Sequence, residues 1–125
     1  MKRILLIAML AFSFKANAGH VPQRDAVRAI LGEAANQPYR AMLGIAAVIR
    51  NRGSLQSVYG LGNLRAQHAP ESVQAAAARA WQESANHDIT GGCKYFGCPQ
   101  DREYFVEELH FHPVAKIGAI TFYKP

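Results

Sequence analysis

The stretch from Tyr39 to Ile49 constrains the fold most, because a helix over it is apolar around well more than half of its circumference. The spacing predicts a helix from about Pro38 to Asn51. Its main stripe is Met42, Ile45, Ala46 and Ile49, widened by Leu43, Ala47 and Val48. Such a helix must be enclosed by other elements, so we expect it at the centre of the fold.

A second helix is predicted just before it, over residues 24–35, RDAVRAILGEAA. Its apolar face consists of Val27, Ile30, Leu31 and Ala34. Glu33 lies near the end of this helix, and Arg40 is the only other charged residue between positions 29 and 49. Pro38 separates the two helices, because the residue before a proline disfavours helix. The pattern leaves one carboxylate in apolar surroundings.

The rest of the chain predicts a loop over residues 53–69, a third helix from Pro70 to about Asn86, and short strands after that. In the third helix Ala77, Ala80, Trp81 and Ser84 share a side, and Trp81 is expected in the core. The strand candidates are CKYF, LHFH and IGAITFY. Helices first and small strands later indicate one α+β domain, with no internal repeat.

The first eighteen residues have the pattern of a secretory signal peptide. Lys2 and Arg3 precede an apolar run of about ten residues, and Ala16-Asn17-Ala18 resembles a cleavage site. A membrane-spanning helix needs about twenty apolar residues, whereas Lys15 ends this run early. We therefore expect a leader over 1–18, a domain over 19–125 and no stable membrane anchor after cleavage. An uncleaved anchor or a buried helix is the alternative.

The charge of the predicted domain narrows its partners. Three of the fourteen Lys and Arg lie in the leader, which leaves eleven against nine Asp and Glu, a net charge of +2. Nucleic-acid binding calls for a dense basic face, so we expect no nucleic-acid partner. A weakly basic exported domain is compatible with an anionic polymer such as a bacterial wall.

Cys93 and Cys98 are the only cysteines. In an exported chain such a pair predicts a disulfide, which here would fix the loop between them. A metal site is the alternative, but it needs more than two thiols, and His110 and His112 are the only clustered candidates. We expect no metal and no cofactor.

Glu33 is the candidate catalytic residue. Low-polarity surroundings disfavour the charged form of a carboxyl and raise its pKa. A carboxylic acid that keeps its proton near neutral pH suits glycosidic bond cleavage, in which the leaving oxygen must be protonated. Gly32 is expected to allow a bulky ligand to approach. From the local pattern alone, a solvated Glu33 or one paired with a distant arginine remains open.

Three blocks of the sequence resemble the cell wall hydrolase family of the spore-cortex-lytic type. The first is Gly32-Glu33-Ala34, then Pro38, the apolar helix and Asn51-Arg52. The second is ARAWQESANHDITGGCKYF, which is similar to an Ala-rich helix, an Asp-x-Thr-x-Gly turn and an aromatic strand. The third, IGAITFY, is similar to a closing Ile-Gly-x-His-x-Phe-Tyr. Together these blocks cover most of residues 19–125.

The resemblance implies a lysozyme-like catalytic domain that degrades peptidoglycan glycan strands, with Glu33 acting on the MurNAc–GlcNAc linkage. It favours a lytic transglycosylase, which needs one carboxylate. Two alternatives remain: a muramidase-type hydrolase with Asp88 or Asp101 as second carboxylate, and a non-catalytic wall-binding or partner-binding module. The implied location is periplasmic or secreted. Oligomeric state is not indicated by the sequence.

The same resemblance supplies the candidate substrate-binding residues. Thr90 is one of these candidates. The aromatic residues Tyr95 and Phe96 follow the turn at Thr90, where the family has residues that line its glycan cleft, and Tyr95 is expected to face the ligand. Asn51 is a candidate donor to an N-acetyl carbonyl or a helix cap, and Tyr123 is a candidate for cleft or core.

The sequence departs from the family pattern at the closing histidine and in the loop over residues 53–69. Ile120 stands where the family has His, and His110 or His112 is either a substitute or an edge-strand surface residue. Residues 53–69 match the family poorly, which leaves substrate preference undefined.

Overall fold

The computed structural model describes residues 21–63 and 68–125. The predicted leader, residues 1–18, lies outside the described residues. Within the described ranges, no helix has the length and apolar character needed to cross a membrane. In residues 21–63 and 68–125, three α-helices come first and three short strands follow, with short stretches of 3₁₀ and π-helix between these elements.

The first two helices, α1 (Gln23–Ala34) and α2 (Tyr39–Arg52), each begin directly after a proline, Pro22 and Pro38. The proline ring holds φ near the helical value and needs no backbone donor at that position. Helix α2 ends at Gly53, whose φ of 72° is left-handed and therefore suits glycine. Both helices lie within two residues of their predicted bounds.

Helix α2 is the centre of the molecule. Every residue from Ala41 to Ile49 is buried, as the apolar circumference predicts. Helix α1 packs against it, and so does α3 (Glu71–Glu83) through its alanine-rich face, where Ala77 and Ala80 are fully buried. Small side chains on that face let the helix axes approach closely. The prediction of a central, enclosed helix is confirmed.

Arg50, near the end of α2, contacts residues at the end of α3. Its guanidinium lies over the Trp81 ring, 3.8 Å from the ring centroid. Its Nη2 donates to the Trp81 carbonyl at 2.6 Å, and its Nε donates to Ser84 Oγ at 2.8 Å. Trp81 is buried, as expected. The cation–π contact and the hydrogen bonds together fix the relative position of the two helix ends.

The sheet contains β1 (Tyr95–Gly97), β2 (His112–Ile117) and β3 (Ile120–Lys124) in the order β1-β3-β2, with both pairs antiparallel. The central strand β3 is buried from Ile120 to Tyr123. A two-residue turn joins β2 to β3 and begins at Gly118, whose φ is 60°.

The sheet is attached to α2 by a close contact at Gly44. A Cβ atom at that position would lie 2.4 Å from the tip of the Phe122 ring, so only glycine leaves room for the ring. Phe122 pairs with Phe96 across the sheet. The two aromatic rings therefore place β1 directly above the central helix.

The predicted α+β architecture, with a helical core and a small antiparallel sheet towards the C-terminus, is confirmed. Two details differ. The LHFH segment contributes only its last residue, His112, to β2, because a π-helix (Tyr104–Glu108) occupies the chain just before it. The IGAITFY segment is divided between β2 and β3 by the turn at Gly118.

Candidate active site

Two glycines bring the loop after α2 into backbone contact with α1. A 3₁₀ turn, Tyr59–Gly62, packs on α1. A Cβ atom on Gly32 would lie 1.8 Å from the Gly60 carbonyl oxygen, and one on Gly60 would lie 2.7 Å from Glu33 Cγ. The expectation that Gly32 leaves space for a ligand is therefore wrong, because the backbone of Gly60 fills that space.

This contact holds the Glu33 carboxyl. The Gly60 amide donates to Glu33 Oε2 at 2.8 Å. Burial raises the pKa of Glu33, the backbone hydrogen bonds of Gly60 and Tyr59 lower it, and the charge of Asp101 raises it again. The net pKa lies above the ordinary value, in the direction expected from the apolar sequence around it.

Glu33 borders a cavity of about 400 Å³. Aromatic rings from three segments form much of its wall: Tyr59, Tyr95, Phe96, Tyr104 and Phe105. The charged residues at its edge are Glu33, Arg52 and Asp101. Apolar walls with a few convergent polar groups are typical of ligand pockets. Of the residues predicted to bind substrate, Tyr95 and Phe96 lie here.

Asp101 is the second carboxylate of this cavity. It ends a 3₁₀ turn, Pro99–Asp101, directly after β1, and its Oδ2 accepts from the Cys98 amide at 2.9 Å. Its negative charge raises the pKa of Glu33, because a charged carboxylate nearby disfavours the ionisation of a second one. Between the two carboxylates left open by the sequence, the structure brings Asp101 to Glu33.

Asp88 has a different environment. Its Oδ1 accepts from the Thr90 amide and hydroxyl at 2.8 and 2.6 Å, and its Oδ2 accepts from Gly92 N and Asn51 Nδ2, both at 2.9 Å. Burial would raise the pKa of Asp88, but these hydrogen bonds outweigh it and the net pKa is lowered. Asp88 organises the loop before β1.

Three residues predicted to bind substrate do not line the cavity. Asn51 uses its Nδ2 on Asp88 and on the Cys93 carbonyl, each at 2.9 Å. Thr90 is 2% exposed, and Tyr123 is fully buried with its ring stacked on Phe105 at 4.5 Å. These side chains support the loop and the cavity wall from behind.

The predicted disulfide is not formed: Cys93 and Cys98 are free. Strand β1 lies between them, and an extended chain rises about 3.3 Å per residue, so they lie at opposite ends of the strand. A disulfide requires Cα atoms within roughly 7 Å. The Cys93 thiol donates instead to the Thr90 carbonyl at 3.3 Å, while Cys98 lines the Glu33 cavity.

The position of the family's closing histidine is part of the core here. Ile120 is buried in the central strand and pairs with Ile117. His112 is the first residue of β2 and His110 lies two residues before it. Both are exposed, and neither lines the cavity. Among the described residues, no three His, Cys, Asp or Glu side chains form a group that could hold a metal ion.

Sequence reasoning missed several residues at the cavity: Arg52, Tyr59, Tyr104, Phe105 and Leu109. The last three come from the π-helix and its end, a conformation without a periodic sequence signal. Tyr59 stands directly before Gly60, and a lone aromatic residue within a glycine-rich loop was the available signal.

Two solved structures share this architecture. The catalytic domain of the Bacillus cereus SleB protein is 25% identical, with 87% of this chain and 91% of that chain covered and a TM-score of 0.58. The catalytic domain of the germination-specific lytic transglycosylase SleB from Bacillus anthracis is 23% identical, with 86% and 94% covered and a TM-score of 0.59. No protein-family model and no curated protein matches the chain. The chain has a SleB-like fold, and the lysozyme-like fold class predicted from the sequence is confirmed.

Replacing Asp88 with Asn is expected to lower the free energy of unfolding at pH 7 by about 1–2 kcal/mol, because an amide accepts at one oxygen only. The folded-state pKa of Asp88 lies below its unfolded value of 3.8. Its stabilisation is therefore present above pH 3.8 and is lost as the pH falls through the folded pKa. Urea denaturation should show wild type and variant converging in acid.

Asp25→Asn is the matched control, since Asp25 lies in the first turn of α1 and makes a 3.8 Å ion pair with the exposed Arg24, and both contributions to stability are small. If Asp88→Asn and Asp25→Asn unfold at the same urea concentration at pH 7, the structural role of Asp88 is wrong.

Proposed function

We propose that this chain is a peptidoglycan-cleaving glycosidase that acts as a lytic transglycosylase on the MurNAc–GlcNAc bond. The observation that carries the proposal is the Glu33 carboxyl, with its raised pKa, at the edge of an aromatic-walled cavity. The likeness to SleB catalytic domains, one described as a germination-specific lytic transglycosylase, supports it. A cell-wall substrate requires export, in agreement with the leader expected over residues 1–18.

Glu33 acts first as an acid. The Gly60 amide donates to Oε2. An oxygen that accepts a hydrogen bond favours the unprotonated C=O position of the carboxylic acid, so the proton is placed on Oε1. As the bond from C1 of MurNAc to the bridging oxygen breaks, its electron pair stays on that oxygen and the Glu33 proton is transferred there. General acid assistance of this kind contributes about 10²–10⁴ in rate.

Glu33 then acts as a base. Its carboxylate takes the proton of the C6 hydroxyl while O6 of the same sugar bonds to C1. The product is a 1,6-anhydro sugar, and Glu33 is protonated again for the next cycle. No water enters the reaction, so a single carboxylate is sufficient for this route.

Hydrolysis is the second candidate, because Asp101 borders the same cavity. A hydrolase uses a second carboxylate as a base for water or as a nucleophile. In the transglycosylase route Asp101 has a different role: burial is the main cause of the raised pKa of Glu33, and the charge of Asp101 raises that pKa further. The two routes therefore predict different activities for a variant that lacks the Asp101 charge.

Glu33→Gln is expected to reduce the release of muropeptides from purified sacculi by at least about 100-fold, because the amide has no acidic proton. The folded-state pKa of Glu33 is raised, so ionisation of Glu33 at pH 7 costs folded stability. The variant should therefore unfold at the same or a higher temperature than wild type.

Two results would contradict this proposal. If Glu33→Gln releases as many muropeptides as wild type, Glu33 is not the acid. If folded wild type releases none, the non-catalytic module is the better account.

Asp101→Asn is expected to keep turnover but to move the alkaline limb of the pH–rate profile to lower pH. The reason is that removing the Asp101 charge lowers the pKa of the Glu33 acid. Product masses complete the test, since hydrolysis adds one water and transglycosylation does not. Loss of turnover at every pH, together with hydrated wild-type products, would instead assign Asp101 as the second carboxylate of a hydrolase.

A further inference from the structure

The exposed large hydrophobic side chains of the described residues are unevenly distributed. They are Tyr59 at 82%, Tyr104 at 55%, Val114 at 48% and Leu109 at 37% exposed. Tyr59, Tyr104 and Leu109 border the Glu33 cavity, whereas Val114 lies on β2 away from it. Clustered exposed apolar surface marks a binding site more often than isolated residues do.

Tyr59 is connected directly to the acid. It begins the 3₁₀ turn that packs on α1, and the next residue, Gly60, donates its amide to Glu33 Oε2. A Cβ atom on Gly60 would meet backbone and side-chain atoms of α1, so the turn fits tightly against the helix. The tight fit therefore fixes the backbone that carries the Tyr59 ring next to the Glu33 carboxyl.

Tyr104 and Leu109 are brought together by the π-helix. The Leu109 amide donates to the Tyr104 carbonyl at 3.0 Å, five residues back. In an α-helix the residue four positions on, Glu108, would be the neighbour of Tyr104 on that face. The wider turn puts apolar Leu109 beside Tyr104 at the cavity in place of a negative charge. Such turns are frequent at functional sites.

The Tyr104 ring rests on a rigid aromatic base. Its edge packs against Phe105 at 5.8 Å between centroids, and Phe105 stacks on the fully buried Tyr123 at 4.5 Å. These inner rings are fixed by the core and support one side of the Tyr104 ring, while Tyr104 stays 55% exposed. A tyrosine has only two side-chain torsions, so covering it with a ligand costs little conformational entropy.

We propose that Tyr59, Tyr104 and Leu109 form a sugar-binding lip that packs against the pyranose rings of a glycan strand at the mouth of the Glu33 cavity. A pyranose ring presents C–H groups on its faces and hydroxyls at its rim, which suits exposed aromatic faces next to polar groups. Charged Glu33, Asp101 and Arg52 at the cavity disfavour a purely apolar occupant. The choice of a glycan rests on the proposed function.

The test is binding without turnover. In the Glu33→Gln background, Tyr104→Ala should weaken the binding of soluble, uncrosslinked glycan strands about tenfold, measured by calorimetry, because the aromatic contact is lost. Tyr104→Phe should bind as the parent does. Val114→Ala removes an apolar side chain outside the cavity, 48% exposed against 55% for Tyr104, and should leave the affinity unchanged.

Tyr59→Ala is the second variant, since a ring that is 82% exposed contributes little to the core, and it should weaken binding in the same way. If both alanine variants fold and bind glycan strands as tightly as Val114→Ala, the lip is overturned. Tyrosine-dependent binding of a soluble stem peptide without glycan would overturn it as well. Because the readout is affinity, loss of the catalytic role of Glu33 would be seen separately, in the muropeptide assay.

Discussion

The backbone contact between Gly32 and Gly60 is the constraint on which the rest of the site depends. A side chain at either position would overlap the opposite segment, at 1.8 Å from the Gly60 oxygen or 2.7 Å from Glu33 Cγ. Only this approach brings the Gly60 amide within 2.8 Å of Oε2. The same contact places Tyr59 at the cavity, so acid and exposed aromatic ring are positioned by one pair of glycines.

Two aspartates show how environment divides one residue type into two roles. Asp88 accepts four hydrogen bonds from Thr90, Gly92 and Asn51, and its pKa is lowered, so it remains a charged anchor for the loop before β1. Asp101 lies at the cavity and raises the pKa of Glu33. A carboxyl that is costly to ionise lowers the stability of the folded protein but favours acid catalysis. Burial of helix α2 stabilises the fold and offsets this cost.

Sequence reasoning located what depends on periodicity and on local composition. The apolar circumference of residues 39–49 predicted the central helix, and Pro38 marked its start because the effect of proline on the backbone is local. The local pattern singled out Glu33 as an isolated carboxylate in an apolar stretch, and the resemblance to the cell wall hydrolase family, not the pattern alone, implied a catalytic role for it. Its assignment as catalytic still remains a proposal.

What could not be predicted depends on contacts between distant segments. Asp88 accepts hydrogen bonds from Thr90 in its own loop and from Asn51 at the end of α2. Asn51 and Asp88 are 37 residues apart, and no sequence signal indicates that they pair. The disulfide prediction took the short spacing of the two cysteines as closeness in space, whereas the extended strand between them, itself a candidate in CKYF, holds them apart. The Tyr104 and Leu109 pairing needs a π-helix, which does not follow the usual helical spacing.

The central claim is that Glu33 is a carboxyl whose pKa is raised by its surroundings, and a carbon-13 NMR titration of its side-chain carboxyl tests this most directly. The expected midpoint lies above the ordinary value of 4.5, and it should fall when Asp101 is replaced by Asn. A midpoint at or below 4.5 in the folded wild type would contradict the account, because Glu33 would then hold no proton for a leaving oxygen near neutral pH.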